Sequence, residues 1–421
     1  MDRHDHRAIA NRMDLFHQQE EGPGMVFWHP RGWALYRVVE DYIRRLMRRG
    51  GFEEIRTPQV LARALWEASG HWEKFADNMF TTSDGERQHA LKPMSCPAHV
   101  QVFAKRLRSF RDLPLRYAEF GGCHRNEPSG ALHGLMRTRA FHQDDAHIFC
   151  SEAQVTGEVA RFCRLLMQAY ADFGFADLRV AFSTRPARRA GAEAEWDRAE
   201  AMLAQAAREA GLVFEIDPGE GAFYGPKLDF HLRDAHGREW QCGTVQLDLV
   251  LPERLGARYV DAEGARARPV MIHHAVLGSL ERFIGILLEH HRGSLPLWLA
   301  PDQVVVAPIT PAEACHARRL ADRLAEAGLR ARADLRSETL SRRIVDAHED
   351  GVPVVLAIGQ REVREGTVTL RRRDGTQVVE RLDAAIVALQ EEARPPSDRE
   401  RAVTPVSAAL SPAVAKTRNP C

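Results

Sequence analysis

Apolar residues recur at helical spacing near the start of the chain. From Trp33 to Arg49 they are spaced as on one face of a helix, and two glycines at 50–51 end the pattern. Ile55 to Val60 predicts a strand, and a second helix follows through Trp66. Residues 1–20 predict a short amphipathic helix that leads into this region.

The middle of the chain predicts helices and strands that do not strictly alternate. Residues 187–210, rich in Ala, Glu and Arg, predict a helix, which we interpret as a surface insertion. Residues 223–232 and 239–251 predict paired strands joined by an Asp-Ala-His-Gly turn, and 276–290 predicts a long apolar helix. This order favours an α+β domain over residues 21–298 with a largely antiparallel sheet.

Strands and helices alternate regularly after residue 299. QVVVAPI and VPVVLAIG predict buried strands with helices between them, and TVTLRRR with TQVVERL predicts an edge pair. Residues 299–394 therefore predict a compact α/β domain with a parallel sheet. Residues 395–421 are rich in Pro, Ser and Ala and predict a disordered tail.

Composition is typical of an ordinary globular protein. The 421 residues predict two or three domains, and 44% are hydrophobic and 28% charged. No run approaches the roughly eighteen apolar residues of a membrane span, so we expect a cytoplasmic protein without membrane contact. Net charge is zero, so binding of nucleic acid would depend on local basic patches.

The stretch from Phe120 to His147 carries the densest polar chemistry. Beyond its loop, six side chains occupy every second position: Arg137, Arg139, Phe141, Gln143, Asp145 and His147. Successive side chains of a strand point to opposite faces, so we expect all six on one face. An exposed polar hairpin would not usually combine these side chains with an Arg and a Glu on the opposite strand. We interpret the hairpin as the floor of a site for a charged, planar substrate.

One cysteine and two histidines could bind a metal ion. The candidates are Cys96 in MSCPAH, His147 in DDAHIFC, and His273 or His274 in PVMIHHAVLG. One thiolate and two imidazoles leave a fourth tetrahedral position open, as in catalytic or substrate-binding zinc sites. With 19 histidines and seven cysteines in the chain, spacing alone leaves a chance grouping open.

Several long strings resemble the threonyl-tRNA synthetases, a family of class II aminoacyl-tRNA synthetases, over about residues 5–394. GMVFWHPRGW with GFEEIRTPQV resembles motif 1, the hairpin resembles motif 2, and GSLERFIGILLE resembles motif 3. KPMSCPAHVQ, EGAFYGPKLDF and QCGTVQLD also follow in the family order. The resemblance implies a class II catalytic domain, an anticodon-binding domain, and a homodimer whose interface forms around Pro58.

The resemblance also implies ligands for particular residues. Zinc, one per subunit, would be held by Cys96, His147 and His273. Threonine would be surrounded by Met94, Gln143, Asp145, Tyr224 and Gln246. ATP with Mg²⁺ would be bound by Arg125, Glu127, Arg137, Phe141, Gln241, Thr244 and Arg282. In this set Arg125 would hold the α-phosphate and Arg282 the γ-phosphate, while Glu127 reads the adenine amino group and Phe141 stacks on the ring.

The catalytic residues implied by the resemblance are Arg125, Arg282, Lys227 and His71. His71 would lie near the tRNA terminus and help to remove a proton from the ribose hydroxyl. Glu362 and Arg371 become candidate anticodon readers. Ser337 and Gly351 stand where the family usually has asparagine and arginine, which implies weaker or relaxed reading of tRNA.

The expected activity is threonine–tRNA ligase. The threonine carboxylate must attack an anionic phosphate, so arginines and Mg²⁺ are required. Zinc would separate threonine from valine by binding the hydroxyl, whereas serine keeps that hydroxyl. The family therefore usually carries an N-terminal editing domain, which we expect to be missing because this chain begins directly at the catalytic domain.

Two alternatives remain open. A specialised copy could activate threonine for a non-ribosomal acceptor such as a carrier protein, or confer inhibitor resistance. A catalytically silent copy could bind tRNA as a regulator, although a decayed enzyme would be expected to lose at least one of Arg125, Glu127 and Arg282, which are all present.

Overall fold

A computed structural model of the protein describes residues 2–234 and 236–402. The helices are α1 His6–Met13, α2 Pro30–Arg49, α3 Arg63–Ser69, α4 His71–Phe75, α5 Cys96–Ala104, α6 Val155–Asp172, α7 Glu193–Glu209, α8 Leu251–Arg254, α9 Leu280–His290, α10 Ala314–Glu326, α11 Leu340–Glu349, α12 Gln360–Glu365, α13 Leu382–Glu392 and α14 Pro396–Ala402. Within those ranges, no helix combines the length and apolar character needed to cross a membrane.

The strands are short in the first hundred residues and longer afterwards. They are β1 Phe16–His17, β2 Phe27–Trp28, β3 Glu53–Glu54, β4 Val60–Ala62, β5 Thr81–Asp84, β6 Arg87–Leu91, β7 Arg108–Ser109, β8 Leu115–His124, β9 Ala140–Cys150, β10 Leu178–Ser183, β11 Glu215–Asp217, β12 Lys227–Arg233, β13 Glu239–Asp248, β14 Tyr259–Val260, β15 Arg266–Ala267, β16 Val270–Ala275, β17 Val304–Pro308, β18 Ala331–Ala333, β19 Val354–Ile358, β20 Thr367–Arg372 and β21 Gln377–Arg381.

An eight-stranded sheet organises the larger, N-terminal part of the chain. Its order is β11-β10-β12-β13-β16-β9-β8-β3, antiparallel except for the pair at each edge. Along β9, Ala146 and Ile148 belong to the main hydrophobic core, which includes residues of α2, α6 and α9. Asp145 and His147 alternate with them and therefore point to the opposite face. The α+β fold with a largely antiparallel sheet is confirmed.

The C-terminal part is a five-stranded sheet with helices on both faces. Its order is β18-β17-β19-β20-β21, with the first three strands parallel and the last two antiparallel. Residues of α10 and α13 pack on one face, and Ala347 of α11 packs on the other. The α/β arrangement with an antiparallel edge pair agrees with the sequence prediction.

The predicted strand from Ile55 to Val60 is wrong. β3 ends before this segment, and β4 begins at its last residue. Pro58 has no N–H to donate to a strand ladder. The Thr57 N–H donates to the Glu119 carboxylate at 2.8 Å instead of to a neighbouring strand. The segment therefore crosses from the central sheet to a small sheet, β4-β6-β5, without regular pairing.

Two predicted helices have different limits or surroundings. α7 begins at Glu193, and its buried residues, Trp196 and Leu203 among them, line up on one face. Leu203 belongs to the main core, so α7 is not merely a surface insertion. The predicted helix 276–290 begins only at Leu280, because Gly278 adopts a positive φ of 70° and Ser279 caps the helix.

The predicted disordered tail begins with ordered structure. α14 follows the buried Pro395, and the Ser397 N–H donates to Asp172 at 3.0 Å. Asp172 also accepts a hydrogen bond from Tyr42 of α2 at 2.6 Å. The prediction is therefore wrong for residues 395–402, and residues 403–421 lie outside the described part of the chain.

Candidate active site

A polar cavity of about 450 Å³ lies on the face of the central sheet opposite the main core. β9, β13 and β16 form its floor, and β9 pairs with β8 from Leu115↔Phe149 to His124↔Ala140. The predicted site residues that line the cavity are Met94, Cys96, Arg125, Glu127, Arg137, Phe141, Gln143, Asp145, His147, Tyr224, Lys227, Gln241, Thr244, Gln246, His273 and Arg282. Phe75 and the loop 220–223 are among the lining residues that were not predicted.

The alternation predicted for the hairpin holds within β9 but not before it. Phe141, Gln143, Asp145 and His147 all face the cavity. Arg139 precedes the strand, and its guanidinium donates to the Glu127 carbonyl at 2.8 Å rather than lining the cavity. Arg139 therefore does not share the face predicted for it, because strand alternation does not continue into the loop.

Three arginines converge at one end of the cavity. Arg125 lies with its guanidinium carbon 5.1 Å from the centre of the Phe141 ring. Arg137 donates to the Glu127 carboxylate at 2.8 Å. Arg282 donates from Nε to the Met136 carbonyl at 2.9 Å. Burial lowers the pKa of Arg282, and the charges of Arg125 and Arg137 lower it further. This crowding of positive charge suits a polyanion such as a triphosphate.

Asp229 orients the side chains along the neighbouring wall. Its carboxylate lies 2.7 Å from Lys227 Nζ and accepts hydrogen bonds from Gln241 and, at 3.1 Å, from Thr244. Asp229 is buried and does not itself line the cavity. Sequence reasoning missed it, although its position two residues after Lys227 on one strand places both on the same face.

The other end of the cavity is smaller and more enclosed. Tyr224 donates from its hydroxyl to Gln246 at 2.5 Å, and its ring stacks on His273 at 4.9 Å between centroids. Asp145 accepts the Ser95 N–H at 3.3 Å, and burial raises the pKa of Asp145. A carboxylate and a hydroxyl in this enclosure suit a small ligand with an amino group and a hydroxyl.

Cys96, His147 and His273 each place a potential ligand atom within 4.8 Å of the others. His147 Nε2 lies 3.0 Å from His273 Nδ1 across the β9–β16 pair. His274 points to the other face of the sheet, where its ring lies between Phe52 and Phe162. Of the two neighbouring histidines, only His273 therefore lies beside Cys96 and His147.

The outer nitrogen of each imidazole is held by a second group. Asp248 lies 2.8 Å from His273 Nε2, so it accepts the proton there and leaves Nδ1 with a lone pair. His147 Nδ1 lies 2.8 Å from His99 Nδ1, and His99 Nε2 lies 3.0 Å from Glu119. With His99 neutral, Glu119 fixes the His99 proton on Nε2, and His147 then donates from Nδ1.

This arrangement fits a metal ion. His147 Nε2 and His273 Nδ1, which face each other at 3.0 Å, would then each carry a lone pair. Two such lone pairs repel unless a cation lies beside them. Burial opposes ionisation of Glu119, but hydrogen bonds from His99, Thr57 and Lys92 outweigh it and lower its pKa to about 2. Glu119 is therefore an ionised anchor for the His99–His147 pair, as expected behind a metal-binding histidine.

Comparison with known proteins identifies the family. The family model described as "tRNA synthetase class II core domain (G, H, P, S and T)" matches residues 79–291, and the model described as "Anticodon binding domain" matches residues 303–392. A crystal structure described as the RNA binding domain of threonyl-tRNA synthetase from Cryptosporidium parvum has a TM-score of 0.91 and 40% identity, covering 94% of this chain and 100% of that chain. The chain belongs to the threonyl-tRNA synthetase family.

Curated members of the family are similar in sequence. The threonine–tRNA ligase of Gluconacetobacter diazotrophicus is 56% identical over 401 residues, which cover 94% of this chain and 63% of that protein. The enzyme of that name from Halorhodospira halophila is 58% identical over 377 residues, covering 90% and 59%. The chain spans about three fifths of the length of these relatives.

His71, a predicted catalytic residue, does not line the cavity. The side chain is buried, with Nδ1 2.8 Å from Ser69 Oγ and Nε2 3.5 Å from Cys96 Sγ. Burial, followed by the charges of His273 and Arg254, lowers the pKa of His71 to about 3. The structure therefore places a neutral His71 against Cys96 rather than at the cavity surface, and its part in tRNA charging stays a prediction.

Glu362 and Arg371 lie on one face of the anticodon-binding domain. Glu362 accepts the Gly359 N–H at 3.0 Å and the Thr369 hydroxyl at 3.2 Å. Arg371 is two residues beyond Thr369 on β20 and therefore shares its face. Gly351 lies elsewhere, with a φ of 87°, a left-handed conformation that residues with a Cβ rarely adopt. Its backbone explains the glycine, independently of tRNA.

Proposed function

We propose that the chain is a threonine–tRNA ligase, which forms threonyl-adenylate from threonine and ATP and transfers the threonyl group to the 3′ end of tRNA(Thr). The observation that carries this proposal is the shared floor of the cavity. Phe141, at the arginine-rich end, and His147, at the histidine-rich end, are six residues apart on one strand. An ATP site and an amino-acid site on one rigid strand can hold two reactants in line.

The arginine-rich end would bind ATP together with Mg²⁺. Arg125 would neutralise the α-phosphate as the threonine carboxylate attacks it, and Arg282 would hold the γ-phosphate. Glu127 accepts from Arg137 before ATP binds, so adenine recognition requires this ion pair to open or to share its oxygen. No protein nucleophile is needed, since the substrate carboxylate forms the new bond.

The histidine-rich end would select threonine. Zinc, when bound by Cys96, His147 and His273, would supply an open Lewis-acid position for the amino group and hydroxyl of threonine. Asp145 and Tyr224 would orient the same two groups, and Met94 and Gln143 would close the pocket around them. Valine lacks the hydroxyl and would leave these polar groups unpaired, which disfavours it strongly.

The transfer step and the assembly belong to the same proposal. Lys227 would take part in catalysis near the amino-acid pocket, His71 would act in the transfer step, and Glu362 and Arg371 would read the anticodon. A groove next to Pro58, with Leu61, Leu65 and Val102 in its wall, supports a homodimer formed through this surface. The homodimer would act in the cytoplasm. Serine would also be activated, because it keeps the hydroxyl.

Threonine-dependent exchange of pyrophosphate into ATP tests the proposal. We expect exchange with threonine, weaker exchange with serine, and none with valine. Arg125→Ala is the matched negative control, because it removes the α-phosphate contact and leaves the zinc ligands in place. Absence of exchange in the wild-type protein would overturn the proposal and favour a tRNA-binding regulator. Exchange without charging of tRNA(Thr) would favour the non-ribosomal acceptor.

A further inference from the structure

The N-terminal helix reaches the arginine-rich end of the cavity through His6. His6 is the first residue of α1, and its imidazole is completely buried. Its Nε2 lies 3.1 Å from the Leu135 N–H, which can only donate. Nε2 is therefore the acceptor, and Nδ1 donates to the Glu289 carboxylate at 2.8 Å.

Glu289 fixes the orientation of this imidazole. It is buried near the end of α9, where it also accepts the His6 backbone N–H at 3.2 Å. Its second oxygen faces His236 and Arg238, both at 3.5 Å. The other tautomer would present a protonless Nδ1 to this carboxylate, so the contact keeps the proton on Nδ1 and leaves Nε2 free to accept the Leu135 N–H.

The loop that receives His6 is shaped for close approach. Gly134 has a φ of 49°, and a Cβ there would lie only 2.1 Å from His6 Nε2. The Gly134 carbonyl accepts from Gln18 at 3.3 Å. Leu135 and Met136 are buried, and both lie close to Gly285 of α9. Loop and helix therefore meet without an intervening side chain.

Met136, the residue after Leu135 in this loop, contacts Arg282. The Met136 carbonyl accepts the Arg282 Nε–H at 2.9 Å, and the Gln241 carbonyl accepts from the same guanidinium at 3.2 Å. Two backbone carbonyls thus aim the Arg282 side chain, and His6 fixes the backbone that provides one of them. A shift of the loop would move the guanidinium directly.

We propose that His6 is a positioning residue for ATP: it fixes the loop 134–136, and through the Met136 carbonyl it holds Arg282 ready for the triphosphate. The proposal rests on the proposed function, because Arg282 is assigned to ATP only there. It makes α1 part of the ATP site, although α1 lies outside the matched class II core, residues 79–291.

Two substitutions separate the two nitrogens of His6. In His6→Asn the side-chain amide can still donate to Glu289 but is too short to reach Leu135. In His6→Gln the amide oxygen extends to the former Nε2 position and can accept the Leu135 N–H. Loss of this one hydrogen bond in His6→Asn should raise the KM for ATP about threefold to tenfold in pyrophosphate exchange. The KM for threonine should not change, and His6→Gln should recover most of the ATP affinity.

Ile9→Ala serves as the control for a loosened helix, because Ile9 is a buried core residue of α1. It should lower the melting temperature without changing the KM for ATP. If His6→Asn, His6→Gln and Ile9→Ala all change that KM in proportion to their loss of stability, His6 is only structural and the inference fails. An unchanged KM for ATP in His6→Asn would also overturn it. An inactive wild-type protein would instead count against the proposed function.

Discussion

His147 Nε2 and His273 Nδ1 face each other at 3.0 Å across two paired strands, while their outer nitrogens are held by His99 and Asp248. A cation beside these nitrogens would relieve the repulsion between two facing lone pairs, so we expect zinc to bind the folded protein and stabilise it. At a free zinc concentration about 100 times the Kd, the gain is about 2.7 kcal/mol.

Substitution of a proposed zinc ligand should remove this gain. We expect Cys96→Ser to abolish the zinc-dependent rise in melting temperature and to reduce bound zinc, measured by elemental analysis. Cys315→Ser, which changes an exposed thiol, is the control and should retain both. Equal zinc content in the two variants would exclude Cys96 as a ligand.

His99 should matter for zinc without touching it. His99→Phe removes the acceptor for His147 Nδ1 and leaves Glu119 with one hydrogen bond fewer. Loss of such an outer partner typically weakens metal binding about tenfold to a hundredfold. Competition with a chromophoric chelator measures the affinity, and an unchanged value would show that His147 needs no such partner.

Asp229→Asn should damage catalysis while the fold persists. The change removes the charge opposite Lys227 and replaces one of the two acceptor oxygens that serve Lys227, Gln241 and Thr244 with an amide donor. One lost charge-assisted hydrogen bond corresponds to about a tenfold to hundredfold fall in kcat/KM for exchange. Asp177→Asn is the matched control, since its carboxylate pairs with Arg233 of the same strand at the exposed surface. Similar losses in both variants would contradict a specific role.

His274 should make the protein sensitive to mild acid. Burial, followed by the charge of His273, lowers the pKa of His274 to about 3, and neither ring nitrogen has a hydrogen-bond partner among the described residues. At a pH below about 6.5, the pKa of an unfolded histidine, the unfolded state binds a proton at His274 and the folded state does not. The free energy of unfolding therefore falls as the pH falls, by up to about 1.4 kcal/mol per pH unit.

His274→Leu should remove this part of the pH dependence. Urea unfolding at pH 7.5 and pH 5 measures the free energy of unfolding of both proteins. Relative to wild type, the variant should gain up to about 2 kcal/mol more at pH 5 than at pH 7.5. Other titrating groups are common to both proteins. A difference that does not change with pH would mean that the buried ring is not the cause.

The cavity could be predicted from sequence because its residues lie in long strings that resemble a known family, and one of these strings also has a strand pattern. Phe141 to His147 alternate on β9, so one register assigns four side chains at once. The alternation failed at Arg139, where the chain has left the strand and a backbone carbonyl captures the guanidinium. Local pattern describes a regular element but not the loop that follows it.

The supporting residues could not be predicted, since their partners are distant in sequence. His6 and Leu135 are 129 residues apart, and Asp229 is recognisable only once β12 and β13 are paired. The predicted strand at Thr57 is wrong for the same reason, because the Thr57 N–H donates to Glu119, which is distant in sequence. Such contacts depend on the assembled sheet rather than on neighbours along the chain.

The docking of Ser397 on Asp172 means that the chain passes between its two folded parts twice, once before β17 and once after α13. A single tether would let the anticodon-binding part swivel about its own axis. Two tethers close a loop, and such a loop can bend but cannot turn through a large angle. Any movement between the two parts should therefore be a hinge-like bending rather than a rotation about the connection.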